Sequence, residues 1–138
     1  FNDLVRFIGD DFSPVRPELC KEYPTNYCIR QQINGKFSIR TYIDMPESTC
    51  IAFASRYVNE DFHSFDEYVQ SSLEDFLNLH NGLFNVNMSN EQGLELQLDV
   101  PNVVTDELVT FEHEAYMLPI VYSFGTIHFI FELIHNEL

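Results

Sequence analysis

An α+β fold, with helices packed on a mostly antiparallel β-sheet, is what the order of patterns along this chain predicts. Three observations support that expectation. Residues 64–88 read as one long amphipathic helix, Asn34-Gly35 separates two β-prone runs, and two alternating runs near the C-terminal end meet at Gly125. The resulting order is helix, two strands, two helices and then three or more strands, which fits helices laid on one antiparallel sheet better than alternating βα units. The 138 residues are 45% hydrophobic, with 13 Phe and 7 Tyr, enough for one domain with a sizeable core over 1–138. A start at Phe1 rather than methionine suggests a domain cut from something longer.

Taken in order, residues 2–12 suggest a short helix with Leu4, Val5, Phe7 and Ile8 inward, ended by Ser13-Pro14 and followed by a proline-containing loop to Tyr27. Residues 27–33 and 36–43 are β-prone and flank Asn34-Gly35, the dipeptide favoured in two-residue hairpin turns. Met45-Pro46-Glu47-Ser48 opens a second helix to about Asn59, with Ile51, Phe53, Ala54 and Val58 as candidate core contacts. Residues 94–100 alternate strictly between apolar and polar up to Pro101, as an edge or outer strand would. Residues 115–124 and 126–133 should form a final antiparallel hairpin around Gly125.

The helix over 64–88 is the most informative element. Ser64-Phe65-Asp66-Glu67 fits a capping box, in which the serine oxygen and Glu67 satisfy orphan N–H groups of the first turn. Phe65, Val69, Ser72, Phe76, His80 and Leu83 then recur at three- and four-residue steps, as a helix lying on a sheet requires. The opposite side carries Ser71, Asp75, Asn78 and Gly82. Residues three or four apart project together, so Asp75 and Asn78 are neighbours and Gly82 leaves bare backbone beside them. A mid-helix glycine costs about 1 kcal/mol relative to alanine, which points to close packing or close approach there. An acid and an amide at this spacing also describe an ordinary solvated helix face.

Charge is unevenly distributed. The formal net charge is −15, and all 7 Lys and Arg lie at or before Arg56, matched there by seven acids; every acid from Glu60 onward lacks a basic counterpart in its part of the chain. Such a surface argues against nucleic-acid binding, which needs phosphate neutralisation, and suits solubility or a basic partner. No apolar run reaches the length of a membrane span, and no basic-then-apolar leader opens the chain, so a cytoplasmic protein is expected, with no membrane partner. Cys20, Cys28 and Cys50 are odd in number and contain no C-x-x-C pair, against a disulfide framework or zinc knuckle. Glu112-His113-Glu114 alternates along a strand, turning His113 away from both acids, so no metal site is expected. His80, on the apolar side of the long helix, reads as a core or boundary histidine.

The order of elements and the helix motif together resemble the CheC/CheX/FliY family of chemotaxis phosphatases, closest to its CheX branch, over nearly the whole chain. The likeness lies in Asp75-Phe76-Leu77-Asn78-Leu79-His80-Asn81-Gly82, similar to the family pattern of acid, two residues, asparagine, three residues, glycine. Gly35-Lys36-Phe37 before a strand, the helix from Pro46, Val100-Pro101-Asn102-Val103-Val104 and Met117-Leu118-Pro119-Ile120-Val121-Tyr122 support it. Asp75 stands where the family usually has glutamate, one methylene longer. Arg56 precedes Asn59 where two-site members have a second acid, so the chain resembles a single-site member.

The resemblance implies hydrolysis of the aspartyl-phosphate of a CheY-like response regulator. Asn78 would orient the attacking water, Asp75 would pair with a lysine of the partner's phosphorylation site, and Ser71 and Gly82 would frame the contact. It also implies Mg2+ held by the response regulator's own carboxylates, no metal or cofactor held by this chain, and a homodimer. A carboxamide suits that role because it can both donate to and accept from a water without adding charge beside the phosphoryl oxygens. The alternative is a non-catalytic receiver-binding or dimerisation module of a signalling protein.

Overall fold

The computed structural model describes residues 12–14, 17–105 and 107–134, with the backbone alone for 12–14. In chain order the elements are β1 (Phe12–Pro14), β2 (Glu18–Pro24), β3 (Tyr27–Asn34), β4 (Ser38–Met45), α1 (Glu47–Val58), α2 (Glu67–Gln92), β5 (Gln97–Leu98), β6 (Asn102–Thr105), β7 (Leu108–Tyr122) and β8 (Gly125–Ile134). The strands of the described residues form one sheet in the order β1-β7-β8-β4-β3-β5, with β2 also on β7 and β6 also on β3. Every pairing is antiparallel. The two helices lie on one face of it, so the α+β architecture expected from the sequence is the one observed.

Side-chain alternation along the central strands separates two apolar layers. Ile29, Ile43 and Ile127 face α1 and α2, where Phe53, Leu73 and Phe76 complete the main core. Cys28, Tyr42, Val104 and Ile130 point the other way and are covered by Tyr23, Val109 and Phe111. The latter residues come from β2 and the early part of β7, which fold over that side of the sheet. No helix among the described residues is long and apolar enough to cross a membrane.

Several local expectations need correction. The proposed helix over residues 2–12 lies outside the described residues except for Phe12, which begins β1. The stretch before Tyr27 holds strand β2 rather than loop alone; Leu19, Cys20 and Tyr23 pair along β7, and Pro24 falls at the strand's last position, where a missing N–H is tolerated. Asn34-Gly35 does not make a two-residue turn. Ile33 pairs with Ile39, and residues 35–37 form the connection. Gly35 is needed instead because a Cβ there would lie 2.6 Å from Leu96 Cδ2 and 2.8 Å from the Glu95 carbonyl.

The long helix begins later than the capping-box reading placed it. Its N-cap is Asp66, whose Oδ1 accepts from the N–H groups of Tyr68 at 3.0 Å and Val69 at 3.1 Å. Phe65 packs on Tyr27 with ring centroids 4.4 Å apart, so Ser64 and Phe65 belong to the approach rather than the first turn. The helix extends past Met88 to Gln92 and stops at Gly93, whose φ of 66° is in the left-handed region that glycine adopts without strain. In α1, Val58 is 39% exposed at the last turn rather than part of the core. The strand expected over 94–100 shrinks to Gln97–Leu98 at the sheet edge, although Leu94, Leu96 and Leu98 keep the inward alternation. β6 was not anticipated, and β7 begins at Leu108, before the expected 115.

Candidate functional site

The long face of α2 is set by what its other side buries. Val69, Leu73, Phe76 and Leu77 are fully enclosed against the sheet and α1. That stripe turns Ser71, Asp75 and Asn78 into solvent and leaves Gly82 half-buried beside Leu98. Asp75 and Asn78 therefore sit side by side on an uninterrupted helix, at the spacing that makes i and i+3 neighbours. A shallow groove of about 420 Å³ runs along the Asp75 end, between Tyr57 and Phe62 on one side and Tyr68 and Ser71 on the other.

Both members of the pair are held by neighbouring elements. The Tyr57 hydroxyl, from the last turn of α1, donates to Asp75 Oδ2 at 2.9 Å. Partial burial, the hydrogen bond to Asp75 and the carboxylate's charge push the Tyr57 phenol up to about 12, so it remains a donor at neutral pH. On the other flank, Gln31 from β3 donates Nε2 to Asn78 Oδ1 at 2.7 Å and to the Asp99 carbonyl at 2.8 Å. Asn81, one turn along and 1% exposed, donates Nδ2 to Gln31 Oε1 at 2.9 Å and to Thr41 Oγ1 at 2.8 Å. Sequence reasoning singled out Asp75 and Asn78 but not the groups that hold them, Tyr57, Gln31 and Asn81. The sequence did hold one cue: Gln31 is a polar residue at an inward position of a β-prone run.

The remaining candidates are accounted for by structure. The His80 ring lies against Phe129, with centroids 5.1 Å apart, and its Nδ1 is 3.2 Å from Asn81 Oδ1, the boundary placement its position implied. His113 meets Glu132 at 3.3 Å, away from Glu112 and Glu114. Glu132 is buried and balanced by Arg40 at 3.5 Å, so this cluster neutralises a buried acid. Cys28 and Cys50 are buried free thiols pushed up by desolvation, Cys50 to about 12, and stay protonated at neutral pH. Asp75 and Asn78 each already accept a hydrogen bond from the chain, and no group of three or more His, Cys, Asp or Glu that could hold a metal occurs among the described residues.

An antiparallel sheet carrying a long helix, with an acid and an amide presented side by side from its outer face, defines an α+β class that exposes a polar edge rather than an enclosed cleft. The family described as chemotaxis phosphatase CheX matches residues 27–125, and the chain belongs to that family. Among solved structures, the CheX-CheY-BeF3-Mg2+ complex from Borrelia burgdorferi is similar at TM-score 0.84 and 17% identity, covering 97% of this chain and 92% of that one. A chemotaxis protein CheX from Desulfovibrio desulfuricans is similar at TM-score 0.80 and 16% identity, over 96% and 91% of the two chains. FliY from Thermotoga maritima is more distant, at TM-score 0.62 and 11% identity over 98% and 81%. No curated protein matches the sequence.

Proposed function

We propose that this chain hydrolyses the aspartyl-phosphate of a CheY-like response regulator, with Asn78 as the water-positioning residue and Asp75 as the docking acid. The observation that carries the reading is the exposed Asp75–Asn78 pair at the middle of α2, each side chain fixed by a hydrogen bond from a different element. Membership of a phosphatase family and the likeness to a CheX bound to CheY with Mg2+ support it.

An acyl phosphate is chemically activated, so catalysis needs mainly an oriented water and balanced charge. The water oxygen attacks phosphorus in line, and the bond from phosphorus to the receiver's carboxylate oxygen breaks with its electron pair staying on that carboxylate. The Asn78 amide holds the water without adding charge to the phosphoryl oxygens. Asp75 would repel those oxygens and is better placed to pair with a lysine of the receiver's site. Mg2+ comes with the receiver, and neither Asp75 nor Asn78 is needed to bind it. Ser71 and Gly82 border the contact, Gly82 through its missing side chain. A homodimer, implied by the family resemblance, belongs to the same proposal and is tested by sedimentation.

One observation favours a second reading, a receiver-binding module without turnover. Asp75 is a short acid, and its Oδ2 is drawn toward Tyr57 on α1. Following phosphate loss from a phosphorylated receiver with Mg2+ separates the two. Acceleration by the wild-type chain that disappears in Asn78→Ala supports hydrolysis, whereas binding without acceleration supports the second.

A further inference from the structure

The Asn78 carboxamide could present either arm outward on shape alone, because its oxygen and nitrogen are nearly equal in size. Its partners decide the matter. Thr41 Oγ1 gives its one proton to the Gln31 main-chain carbonyl at 2.8 Å, so toward Asn81 it can only accept. Asn81 must therefore turn Nδ2 toward Thr41, and the same nitrogen meets the Gln31 side chain, which answers with Oε1. The other arm of Gln31 faces the Asp99 carbonyl, a group that cannot donate and so demands Nε2. Two backbone carbonyls at opposite ends of the network thus require the same orientation of Gln31. Gln31 and Asn81 are each 1% exposed and Thr41 is 3% exposed, so bulk water offers no ready substitute partner.

We propose that Gln31 is a positioning residue that locks the Asn78 carboxamide with Oδ1 turned into the fold and Nδ2 turned toward the arriving phosphoryl group. The inference rests on the reading of Asn78 given above and extends it to the buried network behind that residue. With Nδ2 outward, the amide donates to one lone pair of the water and leaves the other for attack. The reversed amide would set its oxygen beside the phosphoryl oxygens, lone pair against lone pair. Gln31 touches neither water nor phosphate; it acts through Asn78.

Gln31→Glu tests this when assayed at alkaline pH, because burial raises the introduced carboxyl's pKa and only its ionised form both keeps the shape and accepts without donating. The expected result is a loss of about tenfold or more in kcat, with KM for the phosphorylated receiver changed by less than about twofold. Activity should return as pH falls and the introduced carboxylate regains a proton to donate. Side-chain 15N relaxation of the Asn78 amide, assigned by its loss in Asn78→Asp, should show a rigid group in the wild type and a mobile one in Gln31→Glu. If Gln31→Glu fails to fold, Thr41→Val against Thr41→Ser makes the same comparison, with only the valine substitution loosening the Asn78 amide. An Asn78 amide equally mobile in wild type and variant overturns the proposal, as does a kcat that survives the loss of the donor. A wild-type chain without phosphatase activity would remove the functional reading alone, and the relaxation result would then decide the positioning claim.

Discussion

Asp75 is one methylene shorter than the acid its family usually carries, and the structure places a tyrosine hydroxyl against it. Tyr57 donates to Oδ2, and its ring stacks on Phe53 at 6.3 Å and meets Phe76 edge-on at 5.7 Å, so the donor is anchored by the core of the helix pair. The bond fixes the carboxylate's rotation, and in the proposed reading Oδ1 is the oxygen that meets the receiver's lysine. Tyr57→Phe keeps the ring and removes the bond. It should cost about 0.5 kcal/mol in urea unfolding, a low value because the pair is exposed, and raise KM for the phosphorylated receiver severalfold with kcat intact. A fall in KM would instead identify Tyr57 as a competitor for the partner's lysine. The pairing was not legible beforehand, because positions 57 and 75 lie on different helices and only the packing of α1 on α2 brings them together.

Among the elements, α2 does the most to position the site, and it was the most legible in sequence. Its apolar positions recur at helical spacing over about five turns, a signal that tertiary context rarely overrides. Its ends were less legible because Ser64, Asp66 and Glu67 offer competing caps, and the packing of Phe65 on Tyr27 selects Asp66. Strands at the margins were harder still. β2, β5 and β6 are short or irregular segments held by pairing with β7 and β3, and such pairing leaves little trace in local composition. Gly82 belongs to this scale. A Cβ there would meet nothing closer than Leu98 Cδ1 at 4.0 Å, so packing within the described chain does not require glycine. Gly82→Ala should therefore raise unfolding free energy by about 1 kcal/mol while weakening receiver binding in a titration. Unchanged binding would make Gly82 a bystander.

At the scale of the whole molecule, the buried polar groups on the far side of the sheet make stability depend on pH. Asp44 is fully enclosed, accepting from the Tyr23 hydroxyl at 2.8 Å and the Asn26 N–H at 2.7 Å, and burial holds its carboxyl above the ordinary 3.8. His128 pairs across β4 and β8 with Asp44; burial lowers its pKa from 6.5, and the Asp44 charge partly opposes that shift. The signs are opposite. As pH rises above 3.8, Asp44 loses stability through its folded pKa, whereas His128 contributes stability that is complete above 6.5 and is lost as pH falls through its folded value. Asp44→Asn removes the first effect and the charge that restrains the second. Melting temperature should then climb more steeply between 3.8 and 6.5 than in the wild type, and parallel curves would refute this coupling.

The same scale includes the acidic half of the chain, which carries α2 and, in the proposed reading, turns its Asp75–Asn78 pair toward a phosphorylated receiver. The most direct measurement is the rate of phosphate loss from a phosphorylated CheY-like receiver with Mg2+, alone, with this chain, and with its Asn78→Ala variant. The account predicts acceleration by the wild type and a return to the receiver's own rate with the variant, while binding persists. Equal acceleration by both proteins would contradict it.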